Sequence, residues 1–173
     1  CFVANDRQFY WKHRIGHRSR WFWASHVIHH SSQHFNLTTA LRQPWMPTHF
    51  LIVLKMPLAF LGFHPALIAF VAGANLVYQF WIHTETIGRL GPLDRWLNTP
   101  SNHRVHHGSD AKYLDRNHGG ILMIWDRMFG TYQAEEETPT FGLTTPINTV
   151  NPVKVWFSEF PSLGRDLKAA SSW

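Results

Sequence analysis

Residues 56–84 read MPLAFLGFHPALIAFVAGANLVYQFWIHT, and this stretch contains no Asp, Glu, Lys or Arg. His64-Pro65 interrupts it, because proline disfavours helix at the residue before it. The sequence therefore predicts two apolar helices, Phe50–Phe63 and Ala66–Ile82. At about 1.5 Å per residue, both are shorter than the roughly 30 Å hydrocarbon core of a bilayer. We expect a hairpin over about residues 50–82 that dips into a membrane and returns, with Lys55 reaching from its stem to the interface.

The polar residues in the second arm of this hairpin help to decide whether it lies in a membrane or inside a soluble protein. A hairpin buried in a soluble all-α protein is the alternative interpretation of the same apolar run. Asn75 and Gln79 favour the membrane interpretation, because polar side chains at membrane depth usually line a functional interior.

Composition and charge point the same way. Charged residues make up 16% of the 173 residues and hydrophobic residues 45%, whereas an average soluble domain has roughly 25% charged residues. Cys1 is the only cysteine, so an internal disulfide and a thiolate metal cluster are excluded. The net charge of +5 comes largely from scattered arginines rather than a basic run with interleaved aromatics. This pattern argues against a nucleic-acid partner and fits anionic lipid headgroups.

The length fits a single domain. The chain starts Cys1-Phe-Val-Ala, without an initiator Met or a signal-peptide pattern. An apolar helical pattern is already under way at Phe2 and Phe9. We therefore expect residues 1–173 to form one partial domain that lacks its N-terminal membrane helices.

Histidine carries the chemistry of this chain, and nine of its 13 histidines form a pattern. An HxxxH pair and two HxxHH boxes space them by three or four residues, and one more stands at the end of the hairpin. On a helix this spacing puts side chains on one face about 5–6 Å apart, where imidazoles can share a metal ion. Nine candidate ligands are too many for one metal ion, so the sequence predicts two ions. The candidate metal ligands are His13, His17, His26, His29, His30, His83, His103, His106 and His107.

The ligand type alone does not select the metal, since neutral imidazole suits iron, zinc, copper and nickel. A closed structural zinc site takes four ligands, and nine candidate nitrogens exceed two such sites. A redox-active pair with open positions for oxygen fits better. Four histidines lie outside this spacing and are interpreted as non-ligands: His34, His49, His64 and His118. Among them His118 is the first exception to consider, because it flanks the loop after the last box.

The predicted fold class is all-α, with the membrane-embedded hairpin beneath a polar helical cap that carries a His-rich dimetal site. Thr99-Pro100 is a typical helix start, and Asn36 is a typical cap. The acidic run at residues 135–137 is expected to be a solvated loop, and residues 131–133 an extended segment. The other predicted helices are Arg7–Arg18, Trp21–His34, a short one after Asn36 that Pro44 and Pro47 stop, one ending at Gly108, Gly120–Phe129 and Val153–Phe160.

The boxes and their order resemble the fatty acid hydroxylase / sterol desaturase superfamily of membrane diiron enzymes. They read HRIGH at 13–17, HVIHH at 26–30 and HRVHH at 103–107. The flanks WIHTE at 81–85 and IWDRMFGT at 124–131 are similar to its alkylglycerol monooxygenase-like branch. The resemblance runs from about Asp6 to Trp156. The chain departs from the family at Gln33, where Glu is frequent, and at His118, where an aromatic residue is frequent. It also has Gln79 where other members have histidine.

The resemblance implies a membrane-bound non-haem diiron oxygenase that hydroxylates the alkyl or acyl chain of a lipid with O₂. Its cofactors would be two iron ions, which zinc can replace in purified protein, with an electron donor such as a tetrahydropterin. It implies an integral protein of the bacterial inner membrane or endoplasmic reticulum, with the boxes on the cytoplasmic face. We expect six residues to support the imidazoles through their other ring nitrogen: Asp6, Asn36, Gln79, Glu85, Asp115 and Asn117.

Two alternatives remain at this point. A desaturase on the same scaffold uses the same ligand types, so the histidines do not separate it from a hydroxylase. A non-catalytic metal-binding or haem-binding membrane protein could also use paired histidines. Haem needs only two axial ligands, however, and would leave most of the boxes unexplained.

Overall fold

The computed structural model describes residues 1–44 and 50–170, and within them the fold consists of helices joined by turns and loops. The all-α prediction is confirmed for these residues. The expected extended segment 131–133 forms no strand; the sheet-like pairings described are the isolated bridges Leu97–Leu122 and Gly108–Phe141. The helices are α1 (Phe2–Arg18), α2 (Arg20–His30), α3 (Leu37–Ala40), α4 (Met56–Phe60), α5 (Pro65–Trp81), α6 (Pro100–His107), α7 (Ile124–Met128), α8 (Pro152–Phe157) and α9 (Phe160–Ala169), with 3₁₀ turns at Phe50–Lys55 and Gly91–Arg95.

The first arm of the hairpin differs from the prediction. The expected helix Phe50–Phe63 is a 3₁₀ turn followed by the short α4, because Pro57 lacks an amide hydrogen and is tolerated only in the first turn of a helix. The second arm agrees with the prediction to within a residue at each end. The His64 Nδ1 atom caps α5 by accepting the amide of Ala66 at 3.2 Å. No helix among the described residues is both long and apolar enough to cross a bilayer.

Many apolar side chains of the hairpin are exposed, whereas two of its polar side chains are buried. Phe60 is 82% exposed and Phe70 73% exposed, whereas Asn75 and Gln79 are buried. A helix on the surface of a water-soluble domain has the opposite distribution. The hairpin is therefore not buried within the described part of the chain, and its exposed apolar face suits contact with another apolar surface.

The helices of the first two boxes pack against each other. Extended backbone at Ser19 separates α1 from α2 by a single residue. α2 ends at His30 rather than at the predicted His34, because serine side chains there compete for backbone hydrogen bonds. The Ser31 hydroxyl donates to the Ile28 carbonyl at 2.8 Å, and the Ser32 hydroxyl to the His34 carbonyl at 2.7 Å.

α3 begins at the predicted cap. The Asn36 Oδ1 atom accepts the amide of Thr38 at 2.9 Å, and the Thr39 hydroxyl accepts the amide of Asn36 at 3.3 Å. The helix ends at Ala40, before the predicted stop at Pro44. Pro47, the second predicted stop, lies outside the described residues.

The third box lies on α6, which begins and ends as predicted. The Thr99 hydroxyl accepts the amide of Asn102 at 3.5 Å. Gly108 ends the helix without the left-handed backbone typical of a terminal glycine, since its φ is −69°. A Cβ atom there would lie 3.0 Å from the Tyr113 side chain and 3.1 Å from that of Pro139. Glycine is needed at this position for close packing.

Two buried carboxylates hold the loop that follows the third box. Asp126 accepts the amides of His118 and Gly119, each at 2.7 Å. Asp6 accepts the amides of Ile121 at 2.8 Å and Leu122 at 3.2 Å. The backbone of this loop pairs with another segment, since the Met123 amide donates to the Trp96 carbonyl at 2.9 Å and the Ile121 carbonyl accepts from the Asn98 amide at 2.8 Å. α7 therefore covers 124–128 rather than the predicted 120–129.

Glu135 corrects the prediction of a solvated acidic loop. It is 9% exposed, and its carboxylate accepts hydrogen bonds from Arg104 at 2.6 and 2.7 Å and from Ser101 at 2.7 Å. Burial opposes ionisation, but these hydrogen bonds lower the pKa of Glu135. The pair fastens α6 to the segment after α7.

The C-terminal region forms two helices instead of the single helix predicted at 153–160. α8 and α9 both begin at a proline-containing first turn. Arg20 of α2 donates to Asp166 at 2.7 Å and to Glu159 at 3.0 Å, which holds α9 against α2.

Candidate metal centre

The structure gathers the nine candidate ligands into two groups. In each group, one ring nitrogen from every residue lies within 4.8 Å of those of the others. The five-histidine set consists of His13, His17, His26, His30 and His106, and the four-histidine set of His29, His83, His103 and His107.

In the five-histidine set, the rings of His13, His26, His30 and His106 form a closed circuit, and the His17 ring lies against all four. Its centroid lies 4.7–5.2 Å from those of the other four. Neighbouring rings around the circuit are 4.3–5.1 Å apart. Rings whose nitrogens bind one ion converge in this way. Five nitrogens leave one position of an octahedral ion for another ligand.

The ring nitrogens of the four-histidine set lie close to one another. The Nε2 atom of His83 lies 3.2 Å from that of His29 and 3.0 Å from that of His103. His107 joins them with ring centroids 4.6 Å from His29 and 4.8 Å from His103. Two positions of an octahedral ion would stay open here.

The two sets touch because each HxxHH box contributes to both. His26 and His30, one helical turn apart, face the five-histidine set, while His29 faces the other. On α6 the pair one turn apart, His103 and His107, enters the four-histidine set, and His106 enters the five-histidine set. The rings of His30 and His107 stack at 4.3 Å across the boundary.

Backbone carbonyls fix the tautomers of four rings. A carbonyl oxygen only accepts, so the Nδ1 atom facing it carries the proton and the Nε2 atom keeps its lone pair. The bonds run from His13 to the His118 carbonyl at 3.0 Å, His29 to Arg42 at 3.3 Å, His83 to Gln79 at 2.6 Å and His106 to Arg116 at 2.9 Å.

The remaining nitrogens fit a metal. Among the described residues, five Nε2 atoms of these histidines are buried without a hydrogen-bond partner, namely those of His17, His26, His30, His106 and His107. Burying a polar atom without a partner costs roughly 1–3 kcal/mol. A cation at each set would satisfy these nitrogens, so the donor set fits two metal ions.

The rings are also kept in the form that binds metal. Burial, followed by the other imidazoles, lowers the pKa of eight of the nine histidines well below 6.5. Burial lowers the pKa of His83 to about 4, against the opposing hydrogen bond to Gln79. Neutral rings do not compete with a metal for the Nε2 lone pair.

Two of the six predicted supporting residues contact a ligand. An Asp115 carboxylate oxygen lies 3.7 Å from the His17 Nδ1 atom. Gln79 acts through its backbone carbonyl, which accepts from His83 at 2.6 Å, while its side chain donates to the Gly120 carbonyl at 2.5 Å. The Gln79 side chain is therefore committed to the loop, away from the four-histidine set.

The other four predicted supporting residues bind elsewhere. The Asp6 carboxylate receives hydrogen bonds from the 121–125 segment, and Asn36 caps α3. Asn117 donates to the carbonyls of Asn102 and Gln133 at 3.1 and 2.7 Å, and Glu85 is exposed. The sequence pattern did not predict that the backbone carbonyls of Arg42, Arg116 and His118 orient the rings. Every residue type has a backbone carbonyl, so no residue type identifies this role.

His118, interpreted above as a non-ligand, lies against the five-histidine set. It is fully buried, and its ring centroid lies 5.1 Å from that of His17 and 5.7 Å from that of His106. Within residues 1–44 and 50–170, neither of its ring nitrogens has a hydrogen-bond partner, and an Asp126 carboxylate oxygen lies 3.8 Å from its Nδ1 atom. With His17 and Asp115 it forms a third cluster of potential ligands. Of the other bystanders, His34 is exposed, His64 caps α5 and His49 lies outside the described residues.

The sequence of this chain is similar to those of known proteins. The family model described as fatty acid hydroxylase matches residues 1–131. The alkylglycerol monooxygenase of Homo sapiens is 48% identical over 163 residues, which are 94% of this chain and 36% of that protein. The alkylglycerol monooxygenase of Xenopus tropicalis is 50% identical over 154 residues, 89% of this chain and 34% of that protein.

A bacterial relative is more distant. The ornithine lipid hydroxylase of Rhizobium tropici is 31% identical over 131 residues, 75% of this chain and 40% of that protein. The chain thus spans about a third of the length of the curated relatives it matches. No solved structure matches it.

Proposed function

This chain belongs to the fatty acid hydroxylase family, and we propose that it forms the diiron centre of a membrane-bound lipid monooxygenase that uses O₂. The relatives are named as a monooxygenase and a hydroxylase acting on lipids. Their names favour oxygen insertion over the desaturase alternative.

One observation carries the proposal: two adjacent sets of buried, neutral imidazoles converge on two points. The His83 and His29 Nε2 atoms lie 3.2 Å apart with both lone pairs directed inward. A haem would use two of these nine rings and leave the rest unexplained. Two metal ions use all of them.

Iron suits these sets better than a structural metal. The five-histidine set has one ligand more than a closed structural zinc site takes, and an octahedral iron ion would keep one open position there and two at the four-histidine set. Bound there, two iron ions would supply the activation of O₂ that oxygen insertion into an unactivated C–H bond requires.

The protein prepares the site in three ways. The carbonyls of Arg42, Gln79, Arg116 and His118 orient four rings so that Nε2 faces inward. Burial keeps the rings neutral and excludes water. Asp115, 3.7 Å from His17, offsets positive charge at the five-histidine set.

The surroundings of the site support a lipid substrate. Exposed apolar residues on α4 and α5, such as Phe60 and Phe70, would rest in the membrane and let a lipid chain approach. We assign the boxes to the cytoplasmic face of a bacterial inner membrane or the endoplasmic reticulum. A monooxygenase needs two electrons for each O₂, which a tetrahydropterin or an electron-transfer protein would supply.

The test combines metal analysis with lipid mass spectrometry. Full-length protein purified without oxygen is expected to contain two iron atoms per chain. Lipid extracts from cells that express it should contain a species heavier by one oxygen atom, absent from cells expressing the His29→Ala variant. A product lighter by two hydrogens would replace the hydroxylase proposal with a desaturase. Two irons without any lipid product would indicate a non-catalytic metal protein.

A further inference from the structure

A cavity of about 320 Å³ lies between α1 and the hairpin. We call it the lysine pocket, because the side chains of Lys12 and Lys55 both line it. Gln8 and Phe9 contribute from α1, and Asn75 and Leu76 from α5. None of the nine candidate ligands lines the pocket, and the proposed chemistry does not use its polar groups.

The charges of the lysine pocket are unbalanced. Lys12 and Lys55 bring two cationic side chains to this partly apolar cavity, and none of the described residues that line it is acidic. Two cationic side chains that line one cavity of this size repel each other. An anion placed between two such groups would relieve both the repulsion and the cost of burial.

Two amide oxygens at the pocket also lack partners. The Gln8 Oε1 and Asn75 Oδ1 atoms are buried without a hydrogen bond among the described residues. The Asn75 amide nitrogen donates to Asp6 at 3.3 Å, which fixes its oxygen as the free group. These oxygens accept hydrogen bonds, so the complementary ligand carries hydroxyl or other donor groups beside its negative charge.

The position of the pocket links the apolar surface with the metal centre. Leu76 is 61% exposed on the apolar face of α5, so a hydrocarbon chain can lie at the mouth. Phe9 lines the interior and packs edge-on against the His13 ring, with centroids 5.4 Å apart. One aromatic side chain thus separates the pocket from the five-histidine set.

We propose that the lysine pocket binds the anionic headgroup of a lipid substrate, with Lys12 and Lys55 as its cationic contacts. That the bound lipid is a substrate rests on the proposed function, whereas the binding itself does not. The apolar face beside Leu76 would receive the alkyl chain, and the amides of Gln8 and Asn75 would accept from hydroxyl groups near the anion.

Binding is measured by calorimetry on the full-length, iron-loaded protein in a neutral detergent. The probes are octyl phosphate, octanol and inorganic phosphate. Octyl phosphate is expected to bind more tightly than either of the others, because only it has both charge and chain. Lys12→Gln and Lys55→Gln should each weaken it about tenfold, the typical size of a lost charge-assisted hydrogen bond.

Matched variants guard against indirect effects. Lys55→Arg keeps the charge and should retain most of the affinity, and Lys154→Gln alters an exposed lysine on α8 and should change nothing. Because Lys12 adjoins His13, the iron content of Lys12→Gln is measured alongside, and unchanged iron with weaker binding supports the proposal. Lys55→Gln provides the same test from a position far along the chain.

The outcomes separate the two proposals. Equal binding of octanol, equal binding of inorganic phosphate, or octyl phosphate affinity unaffected by both glutamine variants would overturn the headgroup proposal, whatever lipid the protein oxidises. Binding that depends on both lysines, in a protein that oxidises no lipid, would sustain the headgroup site and contradict the proposed function instead.

Discussion

The Nε2 atoms of His83 and His29 lie 3.2 Å apart inside the protein, although both rings donate their Nδ1 protons to backbone carbonyls. Both pKa values are lowered by burial, so neither ring carries a second proton to share at neutral pH. Two lone pairs therefore face each other at hydrogen-bonding distance. A metal ion bound by both nitrogens converts this repulsion into attraction.

Removing one ligand from either set should abolish metal-dependent activity. His29→Ala and His106→Ala each take a nitrogen from a different set, and both proteins should lose lipid oxidation and bind less iron by mass spectrometry. His34→Ala removes an exposed imidazole from the same region and should keep full iron content. Retained oxidation in His29→Ala or His106→Ala would refute the ligand assignment.

Asp115→Asn should weaken metal retention without unfolding the protein. The carboxylate lies 3.7 Å from His17 Nδ1 and is partly exposed, so we expect roughly a tenfold loss of iron affinity, at the lower end for residues that orient a ligand. Competition with a chelator measures the affinity. An unchanged affinity would leave Asp115 as a surface residue that also pairs with Arg18.

Asp6→Asn should show the opposite pattern, a loss of stability with little change in ligand geometry. The buried carboxylate accepts two backbone amides, the Trp125 indole and the Asn75 amide. An amide in its place turns a donor toward other donors, at a cost of about 2–4 kcal/mol in the free energy of unfolding. Denaturant unfolding of the metal-free protein measures it, and a change below about 0.5 kcal/mol would contradict this role.

Arg104 and Glu135 should be coupled in a double-mutant cycle. Glu135→Gln leaves the buried guanidinium without its carboxylate, and we expect a loss of about 3 kcal/mol in unfolding free energy. Arg104→Met combined with Glu135→Gln should cost less than the sum of the single changes. For comparison, Glu136→Gln alters an exposed neighbour and should be nearly neutral. Strict additivity would mean that the pair does not interact.

The metal-free protein should lose stability in mild acid. His83 has a folded pKa of about 4 and an unfolded value near 6.5, so only the unfolded chain takes up a proton between these values. The stability is complete above about pH 6.5 and falls as the pH decreases toward 4, by about 3 kcal/mol from His83 alone. Unfolding midpoints from pH 7.5 to 4.5 measure the slope, which His83→Gln should make shallower. A midpoint that does not change with pH would contradict the buried, neutral state of the rings.

The sequence by itself determined the helical fold class, the family and the nine histidines, because these depend on local patterns. Box spacing places rings on one helix face, and Thr99-Pro100 and Asn36 cap helices through contacts within three residues. A proline in the first arm of the hairpin was equally visible, but its effect on that helix, which split into a 3₁₀ turn and α4, was not predicted.

Only the tertiary structure decided how the histidines divide. The five-to-four partition depends on the angles at which α1, α2 and α6 meet, and spacing within one helix does not contain those angles. Tertiary packing also decided that a loop places His118 beside His17 and that Glu135 pairs with Arg104. Such contacts join residues distant in sequence, so their partners are fixed by packing rather than by any local pattern.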